Sequence, residues 1–497
     1  MIRSRVFTLI LLFLVFLGLT TCTHNTVRVT NRGLPQQKSE FRIWWSQGFL
    51  PEENEVIAQI KSQWEKETGL KAELRLIPND YILDEAAKAV EKGTQPDVLF
   101  SLRGDTNLFP ILAWKNQLAD VSDLIEPVKN SYSPTALQSA YYENKITKKR
   151  SYYAIPLGQQ TAHIHYWRNM LEKVGLNEQE IPKEWDAFWK FWQQAQTRLR
   201  QLGQQDIYGI GLCMSAQGTD TSWEFEHFLL AHNVKIVGEN GQLLLGSPES
   251  RRGVVNALRE FSDFYKGKYV PDDAIAWTDS GNNSSFLNGQ IMMTINSSMS
   301  IPFTQRQEQN IYNQLSTDIY FNKMVTSPWP LKPDKMPMEP ISSVKQAIIF
   351  EASQHKEAAK SFLTYLLKPE NLNQFLKEAN KGRLFPVMPK LLEDSFWNNP
   401  ADPHMAAAAR QYAGKMQVFP VVFNPAYSEV MKENIWAKAV LSIIQKGVSP
   451  EQAAEDAIAQ IEKIFSSRRG GFTQIDRDKT DIPKNPPHPI ETGFGRI

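Results

Sequence analysis

Two histidines, His163 and His165, stand one residue apart in SYYAIPLGQQTAHIHYW, residues 151–167. Positions two apart on a strand share one face, so this pair raises the question of a metal site. A metal ion needs a third or fourth ligand, and no cysteine or aspartate stands nearby at a typical spacing. Pro156 and Gly158 in the same stretch indicate a turn. The sequence therefore predicts two histidines on a half-buried strand and no metal site.

Motifs of the common enzyme chemistries are absent from the sequence. It contains no GxxxxGK[ST] phosphate loop, no HExxH and no GxSxG. The run GIGLCM begins like a dinucleotide-binding GxGxxG but has Met214 in place of the third glycine. His227 and His232 are five residues apart and do not share a helix face. Paired carboxylates cannot be singled out among 54 acidic residues, so a glycosidase stays open.

Length and composition narrow the class of protein. A chain of 497 residues is too long for one core and divides into two or more domains. Its 42% hydrophobic and 22% charged residues are typical of a globular protein. The net charge of +1 gives no electrostatic footprint for nucleic acid. Two cysteines, Cys22 and Cys213, cannot build a disulfide framework.

The N-terminus predicts export. MIRSRVF carries two arginines, and TLILLFLVFLGL has the length of a signal-peptide apolar region, short for a membrane span. LTTC follows and ends at Cys22, which resembles a bacterial lipoprotein signal, although Thr21 stands where Gly, Ala or Ser is usual. The alternatives are a plain secretory signal or an uncleaved anchor. We predict a signal peptide over residues 1–22, lipidation of Cys22 and a polar tether over 23–40.

The first elements alternate between strands and helices. FRIWW, KAELRLIP and PDVLFS are strand-like, and helical patterns between them end at Gly69 and Gly93. The order βαβαβ predicts a parallel sheet with right-handed crossovers. Ligands of such sheets lie beyond the carboxyl ends of the strands, here Trp44 and Trp45 with the loop 101–105. Because neighbours on a strand face opposite ways, at most one of the two indoles faces a ligand.

Later segments predict further elements of an α/β protein. IPKEWDAFWKFW opens a helix with a tryptophan-rich core face, YGIGL (208–212) is a strand, and residues 291–295 form another. SPWPLKPDKMPMEP (327–340) is too rich in proline for helix or central sheet. QAIIF is a buried strand, and HKEAAKSFLTYLL is a helix. Residues 466–497 are polar and rich in Pro and Gly, and we predict a disordered tail.

A family resemblance emerges from the stretch that carries the two histidines. RSYYAIPLGQQTAHIHYWRNMLEKVGL, followed by IPKEWDAFWKF, resembles the segment of family 1 extracellular solute-binding proteins with a YGLP turn and a run lyYNkdlf…Gl…P.TWdef. Matching positions are Tyr153 to Pro156, Tyr166, Arg168, Asn169, Gly175, Leu176, Pro182, Trp185, Asp186 and Phe188. QPDVLF, FLNGQIMMTIN, SQHKEAAKSFLTYLL and GRLFPV also resemble family motifs, in the family's order. The match covers about residues 41–465, and the family includes maltodextrin-binding proteins.

The resemblance implies an α/β fold of the periplasmic-binding-protein type, with two discontinuous lobes, a hinge and an interlobe cleft. It implies a first lobe over 41–158 plus 345–390 and a second over 159–344 plus 391–465. The first crossing then falls at residues 156–160, so the stretch with the two histidines is a hinge entry. The chain returns near Val344 and crosses out again near Leu391.

The resemblance also implies a binding site lined by aromatic rings and hydrogen-bonding side chains, which suits the apolar faces and hydroxyl rim of a sugar. Asn296 is followed by Ser297, Ser298 and Met299 where maltodextrin-binding members have a tryptophan, which favours a smaller glycoside. Asp97 and Arg383 are predicted as structural supports. The implied ligand-binding residues are Trp44, Trp45, Ser46, Arg103, Asp105, Gln160, Trp223, Glu224, Asn296 and Tyr427.

The implied function is transport without chemistry or cofactor. A monomer, lipid-anchored in the periplasm or at the outer face of the cytoplasmic membrane, delivers a carbohydrate to two permease subunits with a cytoplasmic ATPase. One alternative is a secreted carbohydrate-active enzyme with a similar cleft. Another is a ferric-ion or polyamine carrier on the related fold, for which the pairs Tyr141-Tyr142 and Tyr152-Tyr153 are superficially suitable, although neighbouring tyrosines on a strand diverge.

Overall fold

Two β-sheets flanked by helices make up the architecture. The structure, a computed structural model, describes residues 40–48, 50–307 and 314–469. The predicted signal peptide with Cys22, all but the last residue of the predicted tether, and residues 470–497 of the predicted tail lie outside these ranges. The strands are β1 Arg42–Gln47, β2 Glu73–Pro78, β3 Val98–Ser101, β4 Tyr141–Asn144, β5 Lys149–Tyr152, β6 Ile155–Thr161, β7 His163–Trp167, β8 Tyr208–Gly211, β9 Ile291–Asn296, β10 Met324–Ser327, β11 Ile341–Ile349 and β12 Gln417–Val418.

Helices occupy much of the remaining described chain. The α-helices are α1 Pro51–Thr68, α2 Asn79–Lys92, α3 Leu108–Trp114, α4 Ser122–Ile125, α5 Pro134–Ser139, α6 Arg168–Lys173, α7 Trp185–Gln201, α8 Asp220–Ala231, α9 Pro248–Lys266, α10 Gly281–Leu287, α11 Ser300–Gln307, α12 Gln314–Asp318, α13 Lys356–Leu366, α14 Pro369–Gln374, α15 Pro403–Tyr412, α16 Tyr427–Lys432, α17 Ile435–Lys446 and α18 Pro450–Arg469. Short 3₁₀ turns cover Glu126–Ser131, Glu178–Glu180, Asp272–Ala276, Pro389–Glu393 and Pro420–Val422, and π turns cover Ile319–Lys323 and Phe375–Ala379.

The first sheet confirms the predicted βαβαβ start. Its strand order is β12-β11-β3-β1-β2, with β6 paired to β11, and β1 runs parallel to both β2 and β3. The helices between these strands end at Gly69 and Gly93, whose φ angles are 73° and 66°. Glycine adopts this left-handed conformation without a Cβ clash, so both helices stop where the sequence predicts.

The second sheet has the order β10-β7-β9-β8. The chain passes from β6 in the first sheet to β7 in the second at Ala162, and it returns between β10 and β11 through the proline-rich segment. These passages lie close to the predicted crossings at 156–160 and Val344. The two-sheet α/β architecture agrees with the expected fold class, whereas the residue bounds of the two lobes stay a prediction.

Aromatic side chains fill the core on both sides of the passage. Trp185, Trp189 and Trp192 lie on one buried stripe of α7, which is the core face predicted from IPKEWDAFWKFW. Trp64 of α1 is fully buried and packs edge-on against Phe362 of α13. The apolar spacing read from the sequence therefore places these two helices correctly.

The last described helix runs further than expected. α18 continues through Ser466 to Arg469, into the segment predicted as a disordered tail. In the part of the chain that the structure describes, no helix is both long enough and apolar enough to cross a membrane.

Candidate functional site

A group of polar side chains, here called the first-sheet rim, lies beyond the carboxyl ends of β1 and β3. It consists of Ser46, Arg103, Asp105 and, from the adjoining β11, Ser343 and Lys345. The Ser46 hydroxyl donates to the Asn79 Oδ1 at 3.2 Å and accepts the backbone N–H of Leu102 at 3.4 Å. The bond to Leu102 connects the ends of β1 and β3, at the edge of a parallel sheet beyond which ligands usually bind.

A buried ion pair stabilises the middle of the rim. The Ser343 hydroxyl donates to Asp105 Oδ2 at 2.5 Å and accepts from the Lys345 ammonium, also at 2.5 Å. The ammonium lies 3.6 Å from Asp105 Oδ1. Lys345 is only 2% exposed, and its burial lowers the pKa of the ammonium, against the opposing attraction of Asp105. Since burial penalises the charged form, the pair with Asp105 is what keeps a cation at this position.

Arg103 is the more exposed cation of the rim. Its Nη1 donates to Asp80 Oδ1 at 3.2 Å, at the start of α2, and its Nη2 lies 3.9 Å from Asp279 Oδ2. Asp279 precedes α10, which packs on strand β9 of the second sheet. The Arg103 guanidinium therefore stands between parts of the chain that belong to the two sheets.

The two neighbouring indoles of β1 face opposite ways, as predicted. Trp45 is embedded in the core, stacked on Phe100 at 4.2 Å between ring centroids. Trp44 is 9% exposed, and the Arg75 guanidinium lies 5.0 Å above its ring. The structure thus keeps Trp45 away from the rim and leaves Trp44 covered by Arg75.

Helix α8 supplies the second side of the site. Asp220, Trp223 and Glu224 recur at three- and four-residue spacing and share a helix face. The helix begins where the carboxylate of Asp279 accepts the N–H groups of Thr219 and Asp220, at 2.5 and 3.2 Å. An acceptor at a helix start satisfies amides that have no partner inside the helix.

The close approach of Asp279 depends on a glycine. A Cβ at Gly218 would lie 2.2 Å from the Asp279 carboxylate oxygen Oδ1, which leaves no room for any other residue. Asp279 was not predicted from the sequence, because nothing in the local sequence links it to a helix start so far away in the chain.

Two acids of α8 are buried together. Asp220 Oδ1 accepts from Ser297 at 3.4 Å, and Glu224 Oε2 accepts the N–H of Cys213 at 2.8 Å. Burial raises the pKa of Asp220 well above its ordinary value, and nearby Asp279 raises it further. Burial followed by the charge of Asp220 raises the pKa of Glu224 in the same way. The helix dipole would favour the anion of Asp220 by about 0.3–1 kcal/mol, less than the several kcal/mol that carboxylate burial costs.

The first-sheet rim and α8 meet directly. The Lys345 ammonium lies 5.6 Å from the centre of the Trp223 ring, and that ring packs against Phe419 at 4.9 Å. Next to this contact is a small open recess. Its lining residues are Asp105, Thr106, Ser139, Ser342, Val344, Phe419, Val421 and Val422. Among the predicted site residues, Asp105 lines the recess and Lys345 connects it to Trp223. Arg103 and Glu224 lie beside these two residues on the rim and on α8.

The other predicted site residues take different places. Asn296 is buried at the end of β9, beside Ser297, and donates to the Ser298 carbonyl at 2.8 Å. Gln160 is half-buried on β6, opposite Ser343 in the register with β11. Tyr427 is fully buried, and its hydroxyl donates to Glu226 at 2.7 Å. The structure thus places Tyr427 in the core and does not bring it to the recess.

The passage between the sheets is fixed by side chains. The Ala162 carbonyl accepts from the Trp329 indole at 3.0 Å and from the Gln411 amide at 2.8 Å. His227 of α8 accepts the backbone N–H of Ile341 at 3.2 Å through Nε2, with its Nδ1 on the Trp223 carbonyl at 2.8 Å. The helix that carries Trp223 is therefore bonded to the strand that returns to the first sheet.

The two histidines of the passage are fully buried, so the predicted half-buried strand is wrong on this point, and His165 belongs to a hydrogen-bonded cluster. His165 Nδ1 lies 3.0 Å from Thr326 Oγ1, which lies 2.6 Å from His404 Nδ1. The ring of His163 packs edge-on against Tyr412. Burial lowers the pKa of His163 to about 3, so the imidazole is neutral at physiological pH. Across the described ranges, no three His, Cys, Asp or Glu side chains are grouped so that they could hold a metal ion.

Lys345 and Asp220 were also not predicted as site residues from the sequence. Lys345 lies in the otherwise apolar strand segment SVKQAIIF. A single lysine in such a segment is the sequence signal that could have indicated a buried ion pair. Asp220 shares a helix face with Glu224, which a closer look at helical spacing could have revealed.

Comparison with known proteins gives a family match. The family described as bacterial extracellular solute-binding protein matches residues 50–372. A search of curated proteins found no match to the sequence.

Solved structures share the fold. A solute-binding protein of an ABC transporter from Thermotoga lettingae TMO, bound with alpha-D-tagatose, is 21% identical at a TM-score of 0.67, covering 86% of this chain and 100% of that chain. Maltose-bound MalE3 from T. maritima is 19% identical at 0.65, covering 85% and 99%. The sugar-binding protein MalE from Xanthomonas citri is 17% identical at 0.65, covering 88% and 100%. At these identities the likeness concerns the fold.

Proposed function

The chain belongs to the family of bacterial extracellular solute-binding proteins, and we propose that it captures a sugar or small glycoside between its two sheets and delivers it to an ABC-importer permease. One observation carries the proposal: Asp105 of the first-sheet rim lines the recess and is connected through the buried Lys345 to Trp223 of α8, with Arg103 and Glu224 close by in the chain. A ligand held from both sides favours the closed arrangement of the two halves, because it binds that arrangement better.

The chemistry of the site supports a sugar as the solute. The Trp223 ring offers an apolar face for the C–H groups of a pyranose. Arg103 supplies a charged donor for its hydroxyls, and such charge-assisted bonds are the stronger ones, while Glu224 supplies a further hydrogen-bonding group. Structures similar in fold hold alpha-D-tagatose and maltose, which supports a carbohydrate as the first class to test.

A ligand panel tests the proposal. The purified chain is screened by thermal unfolding against mono-, di- and trisaccharides, with polyamines and ferric ion as competitors for the same fold. A ligand at a hundredfold excess over its dissociation constant adds about 2.7 kcal/mol to the free energy of unfolding. We expect a carbohydrate to give this stabilisation. Stabilisation by iron alone would overturn the proposal, and so would the appearance of cleaved sugars, which would indicate the carbohydrate-active enzyme.

One variant tests whether Trp223 contributes to ligand binding as well as to the stability of the fold. Trp223→Ala should weaken binding of the stabilising sugar by about tenfold or more, because a buried aromatic contact is commonly worth over 1 kcal/mol in binding. The matched control is Trp397→Ala, which removes an indole packed on Phe385 and Phe396, away from the recess. Calorimetric titration measures both dissociation constants. Equal losses in the two variants would contradict the placement of the site.

For the location, we propose that the chain acts outside the cytoplasm as a monomer, lipid-anchored at Cys22. A transporter's binding protein must face its permease, and an anchor keeps it there. Cys22→Ala should release the chain from the membrane fraction into the soluble extracytoplasmic fraction, measured by fractionation and immunoblotting. Membrane association that survives the substitution would indicate an ordinary uncleaved anchor.

A further inference from the structure

Two carboxyls on α8, those of Asp220 and Glu224, are left unmatched by the cations of the site. They are 6% and 2% exposed, and Asp279 adds a third acid beside Asp220. The cations nearby are engaged elsewhere, because Lys345 pairs with Asp105 and Arg103 lies nearest Asp80. Within the residues described, neither carboxyl of the α8 pair has a Lys, Arg or His within 4.0 Å.

Each of these two carboxyls also has an oxygen without a hydrogen-bond partner. Asp220 Oδ2 and Glu224 Oε1 are buried and accept no hydrogen bond from any described residue, and the neutral thiol of Cys213 is the group beside Glu224. Buried polar atoms in native proteins nearly always have a protein or water partner, so two such oxygens on one helix face can accept a donor from outside the chain. Glu226 Oε2 on the same helix also lacks a partner, but that carboxyl lies on another helix face and is bonded to the Tyr427 hydroxyl. Asp279, by contrast, already accepts from Thr219 and from the Asp220 backbone.

The Trp223 indole, which lies between the two acids in the sequence, also favours a cationic group. Trp223 lies on the same face of α8, and its ring already has the Lys345 ammonium at 5.6 Å. An aromatic face attracts cations. A sugar hydroxyl could satisfy the hydrogen bonds of the two carboxyls while they stay protonated, whereas a cationic group also compensates their charge once they ionise, and an anionic sugar would be repelled.

From this arrangement we propose that the solute is a sugar carrying a protonated amine, and that Asp220 and Glu224 bind the amine beside Trp223. The inference rests on the proposed function and specifies its substrate class. The amine N–H groups donate to the two oxygens that lack partners, while the ring hydroxyls bind Arg103 and the remaining polar groups of the first-sheet rim.

Binding of such an amine is coupled to proton release. Burial raises the pKa of both carboxyls, with Asp279 adding to the shift of Asp220 and Asp220 to that of Glu224, which favours their protonated forms in the free protein. The groups that face them are Asp279, which raises both pKa values, Arg103 and Ser297 on Asp220, and the backbone and thiol of Cys213 on Glu224. An arriving cation ionises the carboxyls, so affinity should fall as the pH is lowered below neutrality.

A matched ligand series tests the inference. Glucose, galactose and mannose, and the disaccharide cellobiose, are each compared with the counterpart that carries an amine or an acetamide at C2. Calorimetric titration at pH 7, in two buffers of different ionisation enthalpy, gives affinity and proton release together. We expect the amine to bind about tenfold tighter or more than the hydroxyl counterpart, since hydrogen bonds between charged groups are roughly twice as strong as neutral ones. The acetamide, which keeps the nitrogen but loses the charge, should lose this preference.

The outcomes separate the two proposals. Neutral sugars that bind as tightly as their amines overturn the inference and leave the proposed function standing. A simple polyamine that binds while no sugar does overturns the sugar and supports the amine site. Binding of no member of the series overturns both.

Two variants test whether Asp220 and Glu224 cause the preference for the amine. Asp220→Asn and Glu224→Gln should each reduce the amine preference from about tenfold to below about threefold, since each loses one charge-assisted bond. The control is Glu226→Gln on the same helix, equally buried but bonded to the Tyr427 hydroxyl, away from the recess. It should keep the preference in full. Loss of preference in the Glu226 variant, or its survival in both of the others, would overturn the assignment.

Discussion

The two sides of the site hold their charges in opposite ways. At the first-sheet rim, Lys345 is buried against Asp105, and Arg103 lies beside Asp80. On α8, Asp220 and Glu224 lie against each other without a cation at contact distance among the described residues. The charges of the rim are therefore paired within the described chain, whereas the carboxyls of α8 have raised pKa values and no cation at contact distance. If the proposed ligand binds here, one side positions it and the other side responds to its charge.

Removal of the rim's buried cation should have the largest effect. In Lys345→Met, Asp105 is left buried without its counter-ion, and breaking a buried pair in this way costs about 3–5 kcal/mol. Urea unfolding at pH 7 measures the free energy of unfolding. The matched control is Lys360→Met, whose partner Asp123 lies at the surface, and surface pairs contribute about 0–1 kcal/mol.

The double variant Asp105→Asn with Lys345→Met sharpens this test. It removes both charges, so it should be more stable than Lys345→Met alone, by the part of the loss that came from the uncompensated carboxylate. A single variant no less stable than the Lys360 control would show that the rim does not depend on its pair. The contrast with α8 would then disappear.

The acids of α8 should make stability depend on pH in the intermediate range. Burial raises the pKa of Glu226 from 4.5 to about 8, so the folded protein keeps a proton that the unfolded chain loses. The contribution of Glu226 to the free energy of unfolding is therefore fully present at and below pH 4.5 and is lost as the pH rises toward 8, at up to about 1.4 kcal/mol per pH unit. Asp220 and Glu224, whose pKa values are also raised, act in the same direction.

Glu226→Gln isolates one of these contributions. It keeps an oxygen for the Tyr427 hydroxyl but has no proton to lose. Urea unfolding at pH 5, 6, 7 and 8 should give a shallower decline for the variant than for the natural chain. Parallel curves for the two proteins would mean that Glu226 titrates normally and that α8 is less protected from water than the structure indicates.

The sequence predicted the first sheet well because its signals are local. Alternation in KAELRLIP, helical spacing before Gly69 and Gly93, and the opposite facing of Trp44 and Trp45 each depend on a few neighbouring residues. The structure agrees on every one of these points. Hydrophobic periodicity predicts the structure of those segments whose structure depends on neighbouring residues alone.

The site was predicted less completely because its bonds are long-range. Arg103, Asp105, Trp223 and Glu224 were named and do come together. Trp45 and Tyr427 were named as ligand-binding but lie in the core, and Lys345, Asp220 and Asp279 were not named. An ion pair between distant segments leaves no periodicity in either one, and its partners are recognisable only when the sheets are in place.

The smallest effect on stability, and an informative one, is expected at Arg103. Its side chain is 39% exposed, and its pair with Asp80 is a surface one, so Arg103→Met should change the free energy of unfolding by less than about 1 kcal/mol. Ligand affinity should nevertheless fall about tenfold or more, because a hydrogen bond from a charged donor is worth about 1.5–3 kcal/mol. Arg251→Met, which removes a guanidinium paired with Glu455 on the surface, is the control.

Stability and ligand affinity together show whether Arg103 acts on the ligand or on the folding of the rim. Urea unfolding gives the stability of both variants, and calorimetric titration with the stabilising sugar gives their dissociation constants. If Arg103→Met loses affinity while its stability matches that of Arg251→Met, the guanidinium acts on the ligand and not on the fold. An unchanged dissociation constant would move the ligand away from the rim and toward α8 alone, because Arg103 is the exposed donor that connects the two sides.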